Sequence, residues 1–354
     1  MNVLAVPSRT IELMKNDFYR SAALNIRRLD LLARVLKALN AAGAPAIVLK
    51  GAYLAEAVYG NIALRTMADL DLLVRRSDLE KADTALSSAG CKRREYHLLP
   101  PENDNEFHYR HASVRTMIEI HWEIVKPTYP FALAAADVWE AAVPVRIAGV
   151  DTLALSPEDL LLHLGLHASI HCYDYGLRPI CDIAETLARF PVNPGVFLRR
   201  MRRYGLSFAS GFPLLLAHRL LGAPIPKQIV DHLGPLSPPD NIRAAALQAV
   251  FLERPGRADD RAAHPNMVLF MGRKNWLDKL ALAAQKVFPP RKMIAARYGL
   301  PPASPRVFFY YPSHLLALFK SNAPAIRSYV GGLLRRRPAE ADTAALMDWL
   351  MRKR

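Results

Sequence analysis

The segment from Asp69 to Val74, which reads DLDLLV, is the feature that most constrains the fold. Two aspartates alternate with leucines and lead into an apolar run, a pattern typical of a strand that is buried over most of its length. Because residues two apart on a strand point to the same face, we expect Asp69 and Asp71 to lie side by side. Their repulsion is costly unless a cation lies between them, and Mg²⁺ prefers one or two carboxylates together with phosphate oxygens of a substrate. The segment therefore predicts a metal–nucleotide site.

Residues upstream of this strand offer positive charge for phosphate groups. An apolar run, Pro45–Leu49, reads as a buried strand that runs into a turn at Lys50-Gly51. A turn that contains glycine, next to a positively charged side chain, can bind a phosphate group. Lys50 and Gly51 are therefore candidate contacts of the nucleotide. Arg65 precedes the acidic strand and is a candidate for a second phosphate contact.

A later strand supplies a third carboxylate. The segment Val114–Ile124 contains MIEIHW, in which apolar and polar residues alternate as in a half-buried strand. Glu119 and His121 are two apart and therefore share a face. Glu119 makes a third carboxylate available to the predicted site, and His121 is a candidate for contact with the nucleotide.

The spacing of apolar residues changes along the chain from a mixture of helical and strand patterns to a mainly helical pattern, and this change predicts the domain organisation. A long helix over Thr10–Ala42 precedes the short strands of the first half, whereas the pattern is largely helical from Ser156 onwards. We expect an α+β fold in which a mixed sheet flanked by helices occupies residues 1–155. A mainly helical region with a Pro-rich C-terminal segment would follow over residues 156–354.

Three histidines follow the start of the helical region at intervals of four, which places His163, His167 and His171 near one face of a helix. A zinc site is one interpretation, but no HExxH pattern accompanies them and no cysteine or acid follows at a familiar spacing. A helix face packed against the catalytic lobe is the alternative. His167 and His171 are in addition candidates for lining a cleft, where they would contact nucleotide or acceptor.

Charge and cysteine content narrow the class of protein. The 47 Lys and Arg residues against 32 Asp and Glu residues give a formal net charge of +15, which attracts anions such as nucleotides. No nucleic-acid recognition motif accompanies the basic clusters.

Cys91, Cys172 and Cys181 have no CxxC spacing, which favours a reducing compartment. No apolar stretch reaches the ~20 residues of a transmembrane helix, so the sequence predicts a cytoplasmic protein.

The pattern LKG-x₇-Y-x₅-R-x₃-DxDLLV, followed by IEIHW and SPEDLLLHLGLHASIH, resembles the uncharacterised nucleotidyltransferase family of the polymerase-β-like superfamily. The resemblance is most specific over the first 125 residues. It implies a two-metal site in which Asp69 and Asp71 are ligands of Mg²⁺ (or Mn²⁺) and Glu119 is the third acid. The chain departs from the superfamily at Lys50-Gly51, where Gly-Ser is usual, and so lacks the hydroxyl that would touch a phosphate.

The expected activity is Mg²⁺-dependent transfer of a nucleotidyl group from a nucleoside triphosphate to an acceptor, which could be a small molecule, a peptide or a nucleic acid. Two alternatives stay open. One is kinase-like phosphotransfer on the same scaffold. This alternative stays open because the chain lacks the serine hydroxyl that usually contacts a phosphate. The other is a non-catalytic protein of nucleotidyltransferase fold with a binding or regulatory role.

Overall fold

The computed structural model describes residues 6–94 and 104–251, apart from residues 115, 128, 130, 132, 172, 174 and 175. Towards the C-terminal end it describes residues 284, 287–291, 294, 295, 298, 300, 301, 303–318 and 345–352. Parts of the predicted helical region 156–354 and of its Pro-rich segment, as well as Cys172, lie outside these residues. The chain divides into two compact units, and the predicted boundary between residues 155 and 156 stays a prediction. Unit 1 comprises Met1–Arg94, Glu106–Glu123 and Ala134–Ser156, and unit 2 comprises Glu95–Asn105, Ile124–Leu133 and Pro157–Arg354.

Within the described residues, unit 1 contains a seven-stranded mixed sheet of strand order β3-β4-β5-β2-β1-β7-β6. Strands β2 and β5 pair in parallel, as do β1 and β7, whereas the other neighbours are antiparallel. The strands are β1 Ala46–Val48, β2 Asp69–Val74, β3 Cys91–Arg93, β4 Glu106–His111, β5 Met117–His121, β6 Val143–Ile147 and β7 Val150–Ala154.

The helices of unit 1 connect and cover these strands. They are α1 Ser8–Ala41, α2 Lys50–Tyr53, which continues as a π-helix over Leu54–Val58, α3 Leu79–Ser88, which follows a 3₁₀ turn at Arg76–Asp78, and α4 Ala135–Glu140. In the second half of α1, leucines recur at helical spacing, and Leu32, Leu36 and Leu39 are fully buried. Burial of this apolar stripe supplies the hydrophobic free energy that holds a long helix in place.

The central strand β2 is buried on both of its faces except at its first residue. Leu70, Leu72 and Val74 alternate with Asp69, Asp71 and Leu73, so that the two sets project from opposite faces of the strand. Asp71 is as deeply buried as the leucines around it. A charged residue at such a depth requires charged or hydrogen-bonding partners, and these define the candidate site.

Unit 2 is helical throughout its regular described elements. They are α5 Pro157–Ile170, α6 Arg178–Arg189, α7 Pro194–Arg203, α8 Gly211–Leu221, α9 Lys227–Leu233 and α10 Asp240–Phe251, with 3₁₀ turns at Gly234–Leu236 and Pro305–Tyr310. Asp159 of α5 is fully buried and forms an ion pair with Arg200 of α7. Helix α5 comes close to the residue before α8, where the Ser210 hydroxyl donates to the carbonyl of Leu162 at 2.8 Å.

These elements confirm the predicted α+β class, with a mixed sheet flanked by helices and a helical region after it. One local prediction was wrong. The turn expected at Lys50-Gly51 is the beginning of helix α2, since the chain passes from β1 into the helix with one residue, Leu49, between them. Among the described residues, no helix combines the length and the apolar character needed to cross a bilayer.

Candidate active site

Strand register brings six polar side chains to one face of the sheet. In the parallel pair of β2 and β5, Asp71 is the direct neighbour of Glu119 and Asp69 is the neighbour of Met117. In the antiparallel pair of β4 and β5, Glu106 faces His121 and His108 faces Glu119. Because side chains alternate along each strand, all of these residues project from the same face. We call Asp69, Asp71, Glu106, His108, Glu119 and His121 the acidic face.

Lys50 belongs to this site through its contact with Asp71. The ammonium Nζ lies 2.7 Å from Oδ1 of Asp71, and the two side chains are only 16% and 2% exposed. Burial alone would raise the pKa of Asp71, but the charges of Lys50 and His121 outweigh burial and hold the pKa well below its usual range. Burial would likewise lower the pKa of Lys50, and the carboxylates of Asp71, Glu119 and Asp69 raise it instead. Both groups are therefore charged at neutral pH.

The backbone at Lys50 has an uncommon conformation that aims this side chain. Its φ is 36°, in the left-handed region that residues with a Cβ rarely adopt. Such a conformation costs of the order of 1–3 kcal/mol and persists only where the surroundings enforce it. It occurs where β1 ends, and the amide of Leu49 donates to the carbonyl of Asp71 at 3.0 Å. The chain is thus fixed to β2 directly beside the residue whose side chain meets Asp71.

Asp69 lies next to the Asp71–Lys50 pair, and its surroundings disfavour its negative charge. Burial and the neighbouring charge of Asp71 raise the pKa of Asp69 to about 6, although Lys50 acts in the opposite direction. Arg28 of α1 interacts with Asp69 electrostatically and donates through Nε to Oγ1 of Thr116 at 3.0 Å. A cation near Asp69 would relieve this repulsion, which is the condition that favours metal binding.

His121 is held between carboxylates on both sides of its ring. Nε2 lies 3.2 Å from Oδ1 of Asp71 and 3.7 Å from Oε2 of Glu119, while Nδ1 lies 3.1 Å from Oε2 of Glu106. Burial would lower the pKa of His121, but Glu106 and the other carboxylates raise it well above its ordinary value. The carboxylates on both sides therefore favour the protonated ring, which carries a positive charge and has no free lone pair.

The carboxylates of the acidic face fit a divalent metal. One ligand atom from each of Asp71, Glu119 and His121 lies within 4.8 Å of the others, and the same holds for Glu106, His108 and Glu119. Oxygen ligands of this kind suit Mg²⁺ and Mn²⁺. Asp71 and Glu119 are the oxygen ligands that the first of these sets offers to a hard cation, with Asp69 alongside them. Asp69, Asp71 and Glu119 are the residues named from the sequence, and their role as ligands stays a prediction.

Gly51 and Arg65, the other predicted phosphate contacts, are engaged in packing and in local hydrogen bonds. A Cβ on Gly51 would lie 3.2 Å from Cγ of Met67, so α2 packs tightly against the residues before β2 at this position. The Arg65 guanidinium donates to the carbonyl of Thr66, and the carbonyl of Arg65 accepts from Nδ2 of Asn25 at 2.8 Å. These contacts fix the segment that leads into Asp69, and contact with phosphate stays a prediction for both residues.

The remaining candidates, His167 and His171, belong to unit 2, at the end of α5 and directly after it. Their ring centroids are 4.5 Å apart, and the rings of His163 and His167 are 6.4 Å apart. The three rings therefore follow one another, although α5 ends at Ile170, before His171. No group of described residues that could hold a metal includes any of the three. The contact of His167 and His171 with nucleotide or acceptor stays a prediction.

Sequence reasoning did not identify Glu106, His108 and Arg28 as members of the site. The signal for the first two is the alternation in EFHYRH, which puts Glu106, His108 and Arg110 on one face of β4. That alternation predicts a shared face but not which strand lies beside it. Arg28 carries no such signal, because its proximity to Asp69 depends on how α1 packs.

The sequence profile of the uncharacterised nucleotidyltransferase family matches residues 1–222. No curated protein matches the chain. Two solved structures are similar to it, a solution structure of the antibiotic-resistance factor ANT(2″)-Ia and a crystal structure of ANT(2″)-Ia in complex with adenylyl-2″-tobramycin. The first has 14% identity and a TM-score of 0.38 and covers 55% of this chain and 98% of its own. The second has 15% identity and a TM-score of 0.35 and covers 46% and 88%. Likenesses at these scores support no inference about activity. The family match spans most of the chain, which therefore belongs to the uncharacterised nucleotidyltransferase family.

Proposed function

We propose that this protein transfers a nucleotidyl group from a nucleoside triphosphate to an acceptor hydroxyl, with Mg²⁺ or Mn²⁺ held by Asp69, Asp71 and Glu119. The observation that carries the proposal is the register of β2 and β5, in which Asp71 is the direct neighbour of Glu119 and Asp69 shares their face. Three carboxylates on one partly covered sheet face form a site for a cation that also binds phosphate.

In the proposed reaction the acceptor oxygen attacks the α-phosphorus of the nucleotide. A bond forms between these two atoms, the bond from the α-phosphorus to the bridging oxygen of the β-phosphate breaks, and pyrophosphate leaves. A bound divalent cation supplies neutralisation of phosphate charge and lowers the pKa of the attacking hydroxyl.

The protein's own groups divide the remaining tasks by burial and charge. Asp71 is 2% exposed and therefore serves as a fixed anchor, whereas Glu119 is 20% exposed and can reach an acceptor. We assign to Glu119 the uptake of the proton that leaves the acceptor hydroxyl. The positive charges of Lys50 and His121 offset the carboxylates and limit their mutual repulsion. Arg65, His167 and His171 are proposed contacts of the nucleotide or the acceptor.

The formal net charge of +15 supports an anionic substrate, because a basic protein concentrates polyphosphates near its surface. The charge does not select the acceptor. Small hydroxyl compounds, peptides and nucleic acids are therefore all included in the experiment that tests the proposal.

That experiment incubates the protein with each nucleoside triphosphate, Mg²⁺ or Mn²⁺ and the three classes of acceptor, and analyses the products. Asp71→Asn and Glu119→Gln should each lower turnover at least about a hundredfold. Asp151→Asn is the matched control, since this residue of unit 1 is 85% exposed and should keep wild-type turnover. Circular dichroism spectra of the variants would establish that their folds are intact.

The product identifies the reaction. Pyrophosphate together with a nucleotidylated acceptor supports the proposal, whereas a nucleoside diphosphate with a phosphorylated acceptor would replace it with kinase-like phosphotransfer. Absence of turnover together with absence of metal-dependent nucleotide binding would favour the non-catalytic, binding or regulatory role.

A further inference from the structure

One carboxylate oxygen at the centre of the site already has two nitrogen neighbours, one of them an ammonium group. Oδ1 of Asp71 lies 2.7 Å from Nζ of Lys50 and 3.2 Å from Nε2 of His121. Asp71 is 2% exposed, so this oxygen has little access to solvent. The approach of any further cation to Oδ1 therefore brings that cation against the Lys50 ammonium.

The two cations cannot share this oxygen without strong repulsion. A Mg²⁺ ion binds carboxylate oxygens at about 2.0–2.1 Å, which would place it within roughly 3–5 Å of Nζ. Charges of +2 and +1 at such a separation repel by several kcal/mol even at an effective dielectric constant of about 20. Movement of the flexible Lys50 side chain relieves this repulsion at the lowest free-energy cost, because the strand that carries Asp71 is paired on both sides and cannot move easily.

The backbone indicates that the contact is a built feature. Lys50 has a φ of 36°, and the next residue, Gly51, packs against Met67 with no room for a Cβ at ordinary distance. The backbone is therefore strained just after β1, at the residue whose ammonium reaches Asp71. Lys50 can reach other partners by rotating its side chain, without a change in this backbone.

We propose that Lys50 and the catalytic divalent cation compete for Asp71, so that entry of the cation moves the Lys50 ammonium from Asp71 to the phosphates of the bound nucleotide. This inference rests on the proposed function and adds that binding of the cation and binding of the nucleotide are coupled through Lys50. Lys50 opposes binding of the cation alone and favours binding of the cation together with a triphosphate. The protein would therefore take up metal mainly as the metal–nucleotide complex.

The first test compares Lys50→Met with Lys50→Arg by titration calorimetry. For Mn²⁺ without nucleotide, we expect Lys50→Met to bind about tenfold more tightly than wild type, because the competing charge is gone. For Mn²⁺ with a non-hydrolysable triphosphate analogue, the same variant should bind about tenfold more weakly, because a phosphate contact is lost. Lys50→Arg keeps the charge and should show no gain in affinity for Mn²⁺ alone.

A second test needs no substitution and covers the case in which Lys50→Met fails to fold, since loss of one member of a buried pair is destabilising. Wild-type protein is treated briefly with an amine-reactive reagent, and modification of Lys50 is quantified by mass spectrometry. Ion-paired Lys50 should react slowly, react several-fold faster with Mg²⁺ alone, and become protected again when Mg²⁺ and the analogue are present together. The exposed Lys227 serves as an internal reference, because 86% of its side chain is exposed.

The outcomes separate this inference from the proposed function. If wild type binds Mn²⁺ but Lys50→Met shows unchanged or weaker affinity for Mn²⁺, the competition is refuted while the metal site stands. The same holds if Mg²⁺, at a concentration that saturates the wild type in calorimetry, leaves the labelling of Lys50 unchanged. If metal affinity rises but the affinity for metal with analogue is unchanged, the transfer of Lys50 to phosphate is refuted. If wild type binds neither metal nor metal–nucleotide, the proposed function itself fails.

Discussion

Oε2 of Glu106 lies 3.1 Å from Nδ1 of His121, directly across the pairing of β4 and β5. The other ring nitrogen of His121 faces Asp71 at 3.2 Å. Glu106 therefore fixes the orientation of a buried imidazole that in turn contacts a proposed metal ligand. Outer partners of this kind commonly affect metal affinity although they do not touch the metal.

Replacing Glu106 with glutamine should disturb the site through His121. The pKa of His121 should fall, because Glu106 is the strongest of the groups that raise it, and NMR titration of the ring would measure this change. Affinity for the metal–nucleotide complex should drop about tenfold. Glu80→Gln, at an exposed position of α3, is the control and should change neither value. An unaltered pKa of His121 in Glu106→Gln would show that Glu106 has no positioning role.

The raised pKa of Asp69 predicts a pH-dependent cost to folding. Its pKa is about 6 in the folded protein against an ordinary value of 3.8, so the folded state holds this proton more tightly than the unfolded state does. The contribution of Asp69 to stability is therefore most favourable below pH 4, falls as the pH rises to about 6, and stays low above that.

Asp69→Asn removes this cost, because asparagine does not titrate. In the presence of a chelator, the variant should exceed wild type in free energy of unfolding by about 1–3 kcal/mol above pH 6, and the difference should shrink towards zero near pH 4. Denaturant unfolding at several pH values measures the difference. Equal stabilities across this range would mean that Asp69 is not strained by its neighbours.

A third prediction concerns the packing of unit 2 at Gly165. A Cβ at this position would lie 2.7 Å from the carbonyl oxygen and 2.8 Å from Cα of Ser210, both of them backbone atoms. Glycine to alanine within a helix ordinarily stabilises by about 1 kcal/mol. Here we expect Gly165→Ala to destabilise by about 2–3 kcal/mol, because α5 must move away from Ser210.

The matched control for Gly165 is Gly234→Ala. Gly234 has a helical φ of −51°, and nothing lies within 4 Å of the position of its Cβ. Because alanine before Pro235 disfavours this helical conformation, its free energy of unfolding in urea should fall, but by at most about 1 kcal/mol. If the two substitutions had the same effect, the close approach at Ser210 would not constrain this residue.

The strands of the site were predictable because each carries its own periodicity. The alternation in Asp69–Val74 and in Met117–His121 assigns a face to every residue, and the observed strands begin and end within three residues of the predicted ones. The placement of Glu119 beside Asp71 comes from the pairing of β2 with β5, segments that are far apart in the sequence. The family resemblance, and not the local pattern, is what implied that these two acids act together.

The parts that were not predicted depend on contacts between distant segments. The alternation of residues along Glu106–His111 is a local property of that strand, but its register against β5, which brings Glu106 to His121, is set by the whole sheet. Lys50 was expected in a turn after a buried strand. The structure instead starts a helix there and directs the ammonium to Asp71, because a buried carboxylate requires a nearby positive charge.

The most direct test of the central claim is titration calorimetry of each nucleoside triphosphate with Mg²⁺ on wild type and on Asp69→Asn/Asp71→Asn. The account predicts that wild type binds at least one nucleotide only when Mg²⁺ is present, and that the double variant, although folded, loses this binding. Nucleotide binding that is independent of metal and survives in the double variant would contradict the assignment of Asp69, Asp71 and Glu119 as a metal–nucleotide site.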